Sequence, residues 1–146
     1  MSNFTEILNK RPGEITRPKP IPVGTYLAVV SGRYEQGESS QKKTPFVDIP
    51  LRPLAAQDDV DRSALDEYGE LKEIKGRSGL RFFLTEDSAF RLDDFLTETL
   101  GIEPGEKTIG ERLFEAQGRQ FYVTFRHRPS EDGKQMFAEV AGTAKV

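Results

Sequence analysis

Four stretches of this chain place an apolar residue at every second position, and that alternation constrains it to fold around β-sheets. Val47, Ile49 and Leu51 alternate through 46–52, and Leu80, Phe82 and Leu84 through 80–85. Phe121, Val123 and Phe125 alternate through 121–128, and Met136, Ala138 and Val140 through 134–140. Strand side chains point to opposite faces in turn, so each set defines a core face. The other phase carries Phe46 and Arg52, then Arg81 and Phe83, then Tyr122, Arg126 and Arg128, and finally Phe137. Each strand therefore offers an aromatic ring on its second face, and three of the four add arginine. Bases stack on rings and phosphates pair with guanidinium groups, so the pattern points to single-stranded nucleic acid. Under a covering helix or loop the same rings would be ordinary core.

The rest of the chain supplies the connections. A strand at 24–34 opens after Pro22-Val23, and the polar stretch 35–43 reads as a hairpin loop. Strand two covers 44–52, where Pro50 implies an edge or a bulge. Residues 53–79 form an insertion with Asp58, Asp59, Asp61, Asp66, Glu67 and Glu70 crowded together. After strand three at 80–85, Thr85-Glu86-Asp87 starts a helix with Ala89, Leu92, Phe95, Leu96 and Leu100 at helical spacing. Gly101 closes it. Thr108 and Glu111 form a capping box for a second short helix ending near Gly118. Strand four spans 119–128, Pro129 to Gly133 turns, and strand five runs from 134 to about Val140.

This order, β-β-β-α-β-β with a helix between strands three and four, predicts a five-stranded OB-like barrel over 23–141. An extended Pro-rich arm (1–22) precedes it and a short tail (142–146) follows. A ferredoxin-like fold would need a helix after strand one, and 35–43 is too short and too polar to supply it.

Composition narrows the chemistry. The 146 residues suit one domain. A net charge of −3 argues against a generally basic surface and confines nucleic-acid binding to a local groove. The absence of cysteine removes disulfides and thiolate metal sites. No apolar run approaches the roughly 20 residues that span a bilayer, and the N-terminus lacks a signal-peptide core. The expected location is the cytoplasm of the host cell. His127 is the single histidine, without partners at metal or triad spacing. Phosphate-cradling and dinucleotide-binding glycine motifs are missing as well. The expectation is a binding protein, with no enzymatic activity, cofactor or metal.

Gly24-Thr25-Tyr26 after Pro-Val, Lys43-Thr44-Pro45-Phe46-Val47, Leu84-Thr85-Glu86-Asp87 leading into Phe90-Arg91-Leu92, and the stretch Thr124 to Gly133 together resemble small phage-encoded proteins of the single-stranded-DNA-binding type. The resemblance covers roughly residues 20–140. It implies an OB-like fold, a role in phage DNA replication or recombination, and no catalytic residues. Many replication-type single-strand binders carry an acidic C-terminal tail that recruits partners. This chain ends Gly142-Thr143-Ala144-Lys145-Val146, which leaves the acidic segment 58–70 as the candidate for that work.

The expected site follows from the strand map. Phe46, Phe83, Tyr122 and Phe137 would stack bases, and Arg33, Lys42, Lys43, Arg52, Arg81, Arg126 and Arg128 would meet phosphates. A different expectation also fits: a phage virion module, on capsid or tail, whose Pro-rich arm lashes copies or a phage partner together.

Overall fold

The computed structural model describes Leu8 and residues 19–146. The arm residues 1–7 and 9–18 lie outside the described residues. The described chain is mainly β, in two antiparallel sheets. The first has the order β4-β1-β6-β7, with β1 (Gly24–Val30), β4 (Leu51–Ala56), β6 (Gln120–Pro129) and β7 (Met136–Ala144). The second has the order β2-β3-β5, with β2 (Glu35–Glu38), β3 (Pro45–Ile49) and β5 (Leu80–Phe83).

Among the described residues five expected strands become seven, because one divides between the sheets and part of an expected loop forms another. Pro50 has no N–H for a ladder, and there the expected second strand divides into β3 and β4. The chain likewise passes from β1 to β2 around Gly32, so the segment expected as loop 35–43 begins as a strand. Among the described residues the two sheets do not join into a closed barrel. β7 runs on to Ala144, so most of the expected tail pairs with β6.

The core sits between the sheets. Tyr26, Ala28, Val30, Leu51, Phe121, Val123 and Phe125 of the four-stranded sheet pack with Val47 and Ile49 of the three-stranded one, all buried. Burial pushes the Tyr26 hydroxyl up to about 12, and that hydroxyl donates to the Pro22 carbonyl at 2.8 Å. Two expected core positions fail. Leu84 and Met136 are exposed, because β5 ends at Phe83 and Met136 opens a hairpin strand beyond the core.

Among the residues from 19 onward three α-helices flank the sheets. The first is α1 (Arg62–Tyr68), capped by Asp61, whose carboxylate accepts from Ser63 N at 2.9 Å. Next, α2 (Ala89–Asp94) continues as a wider π turn, Phe95–Thr99, and buries Leu92, Phe95 and Leu96. Phe95 packs on Phe82 and Phe121 with ring centroids at 5.3 and 5.4 Å. Finally, α3 (Ile109–Glu115) starts at Thr108, whose hydroxyl accepts from Glu111 N at 3.1 Å, as the capping box predicts.

One acid of the crowded segment is structural. The Asp59 carboxylate accepts from Thr25 N at 2.9 Å and from Thr25 Oγ1 at 2.8 Å. These bonds pin the segment over Gly24, where φ is +136° and a Cβ would stand 2.5 Å from Val60. They hold the Asp59 carboxyl below the usual carboxylate range. A depressed folded pKa gives stability that is complete above the unfolded value, about 4, and is lost as pH falls through the folded one. The stability gap between wild type and Asp59→Asn should therefore be constant from pH 7 to about pH 5. It should narrow below about pH 4, as urea denaturation at each pH will show. A gap that widens in acid would sink this assignment.

Candidate nucleic-acid interface

The second face of the β2-β3-β5 sheet carries a compact aromatic and arginine cluster. Phe46 lies opposite Phe83 on β5 and opposite Gly37 on β2. Its ring meets that of Phe83 edge-on, with centroids at 6.0 Å. Gly37 is what lets the ring lie across β2, since a Cβ there would stand 2.7 Å from the ring. The Arg81 guanidinium stacks over the Phe46 ring at 3.8 Å. The same guanidinium donates from Nε and Nη2 to the two Asp48 oxygens at 2.8 and 2.9 Å. Asp48 raises the Arg81 pKa through these bonds. Phe46 thus supports Arg81 instead of standing free, and Phe83 is the ring that reaches solvent, 40% exposed. Asp48 sits on the non-core phase yet is buried, held there by Arg81.

The β6–β7 hairpin carries a second cluster. Arg126 and Arg128 both pair with Glu139, at 2.6 and 3.2 Å, while remaining largely exposed. Exposed pairs of this kind are weak, so both arginines can exchange a carboxylate for a phosphate. Phe137 lies opposite Arg128 and is 41% exposed.

The two clusters meet at the seam between the sheets. A cleft of about 600 Å³ lies between β5, α2 and β7, and both Arg81 and Glu139 line it. Glu139 also borders a smaller recess with Arg128 and Phe137. At the α2 edge of the cleft stands Arg91, which approaches the exposed ring of Phe90 at 5.9 Å. The sequence reading gave no site role to Asp48 and Glu139, and named Phe90 and Arg91 only among the residues of the resemblance. Phe90 is an aromatic off the apolar stripe of its helix, and that was its legible signal.

Other expected residues lie elsewhere. Tyr122 is half-buried between Leu27 and Ala144 in the middle of the four-stranded sheet. Arg52 stands on β4 opposite Val29, two strands from β6. Arg33 is exposed between β1 and β2. Lys42 and Lys43 are exposed in the β2–β3 loop, which leads directly into Phe46. That loop is fixed by Ser39, whose carbonyl accepts from Lys43 N and whose Oγ accepts from Thr44 N. Lys43 takes φ +52°, a left-handed conformation that disfavours side chains.

The only histidine, His127, donates from Nε2 to the Ile21 carbonyl at 2.7 Å, tying β6 to the segment before β1. Among the described residues no group of histidine and carboxylate side chains has the arrangement to hold a metal ion. No described helix is long and apolar enough to cross a membrane. Comparison with known protein families and with curated proteins gives no match, so the chemistry rests on the geometry of the seam.

Proposed function

We propose that this chain binds single-stranded DNA, without a defined recognition sequence, across the second face of β3 and β5 and onto the β6–β7 hairpin. The observation that carries the reading is the pair of exposed rings, Phe83 beside the stack of Arg81 on Phe46 and Phe137 beside Arg128 on the hairpin. Stacking on such rings is tolerant of base identity, and each stacked base contributes about 1–3 kcal/mol. In this reading the sheets form an open OB-like arrangement. β1–β2 and β3–β4 are its two long bent strands, and the β2–β3 loop and the β6–β7 hairpin clamp the strand. With the resemblance to phage single-strand binders, the role proposed is phage DNA replication or recombination. The virion reading rests on an arm that lies almost entirely outside the described residues.

The test is fluorescence anisotropy of a labelled 30-base oligonucleotide across a salt series. Binding should weaken linearly in log–log terms, with a slope of roughly −0.7 per phosphate neutralised. Lys43→Gly removes one loop cation and relieves the positive φ. It should reduce the slope by about 0.7 and leave the protein as stable as before or slightly more so. No binding at micromolar protein in low salt refutes the proposal.

A further inference from the structure

From the seam we infer a base-reading function that rests on the proposed DNA binding: Arg81, held by Asp48 and Phe46, selects bases that present two adjacent hydrogen-bond acceptors, guanine or cytosine, over thymine or adenine. Arg81 uses Nε and one hydrogen of Nη2 on the Asp48 carboxylate. Its end-on pair of donors, from Nη1 and the second Nη2 hydrogen, has no partner among the described residues. The group is three-quarters buried at the side-chain level, so its orientation is set before any ligand arrives. Its charge is already balanced by Asp48, which makes it a poor phosphate site and a good planar donor.

The cleft beside β5 is lined by Arg91, Asp94 and Glu98, and by Glu139, which Arg126 and Arg128 already hold. Asp94 and Glu98 there can accept hydrogen bonds from amino groups of a neighbouring base. Guanine offers O6 and N7 to a two-donor fork, as arginine meets it elsewhere, and keeps N1–H and N2–H₂ for a carboxylate. Cytosine offers O2 and N3 to the fork and its N4 amino group to a carboxylate. Thymine sets an N–H between its two carbonyls, and adenine sets an amino group beside N7, so neither matches two parallel donors.

The experiment measures anisotropy of wild-type protein with five oligonucleotides of equal length. One is all thymine. In the others every third base is adenine, cytosine, guanine or 7-deazaguanine. Cytosine and guanine versions should bind about tenfold tighter than thymine and adenine versions. The deaza base lacks N7 and should lose the guanine gain while cytosine keeps its own. The double variant Asp48→Asn/Arg81→Gln, which leaves no unpaired buried charge, should bind all five alike with an unchanged salt slope. Equal binding of all five by wild type overturns the base reading and leaves DNA binding intact. A slope that falls by about 0.7 in the double variant assigns Arg81 to a phosphate and also overturns it. Failure of every oligonucleotide to bind removes the proposed function together with this inference. The deazaguanine comparison uses unaltered protein, so a variant that fails to fold does not spare the idea.

Discussion

Replacing Phe83 and Phe137 together by alanine should weaken binding of a 30-base oligonucleotide by at least about 30-fold. Two stacking contacts at about 1–3 kcal/mol each are lost, and about 1.4 kcal/mol corresponds to a factor of ten. Both rings are about two-fifths exposed, so the fold does not depend on them for its core. The stability cost should be near 1 kcal/mol, mainly the edge-on contact of Phe83 with Phe46. Anisotropy supplies the affinity and a thermal melt the control. The salt slope should stay unchanged, since no phosphate contact is removed. A double variant that folds and binds as tightly as wild type contradicts the placement of the interface. Tyr122→Ala is the complementary control: Tyr122 lies away from the seam and should leave affinity within about twofold.

Replacing Arg112 by alanine should cost about 3 kcal/mol of folding stability. Arg112 is almost completely buried, an unusual place for arginine. It lies on α3 and reaches across to α2 and the turn beyond it. Nη1 donates to Asp93 Oδ1 at 2.5 Å, and Nη2 donates to the Ile102 carbonyl at 3.0 Å and to Thr97 Oγ1. Truncation leaves a cavity and strands the buried Ile102 carbonyl. Asp93 is half exposed and can return to water, which keeps the loss below that of a stranded buried charge. Urea denaturation should show the midpoint falling with little change in slope. Arg112→Lys, with one point donor in place of a planar fork, should recover less than half of the loss. A loss under about 1 kcal/mol for alanine would show that this network does not hold α3 in place.

These two variants also separate what the sequence made legible from what it did not. Period-two alternation identified Val47, Ile49 and Leu51, and Phe121, Val123 and Phe125, because a one-residue slip would turn a whole apolar set to water. The helical stripe at Leu92, Phe95 and Leu96 and the cap at Thr108 were legible for equally local reasons. Other features depend on tertiary pairing. Glu35–Glu38 reads as loop because its residues are polar, yet it gains a full ladder with β3. Ala141 to Ala144 has little strand propensity of its own and is extended because β6 lies beside it. Pro50 was recognised as an interruption, but whether it marked a bulge or a change of sheet depended on what lay on either side. In the site, alternation gave the face of each ring and not the sheet on which it would sit. Phe46, Arg81 and Phe83 therefore came together while Tyr122 and Arg52 did not. Asp48 and Glu139, which hold the arginines, belong to the same non-core phase and were passed over because they are acids.

Photo-crosslinking of a 30-base oligonucleotide carrying 5-iodouracil, followed by mass spectrometry of the digested complex, tests the central claim most directly. The account expects adducts at Phe83 and Phe137, with Phe90 next, since all three rings are exposed and open to bases. Adducts confined to Tyr122 and its neighbours on the four-stranded sheet, or no adducts at all at saturating protein, would contradict it.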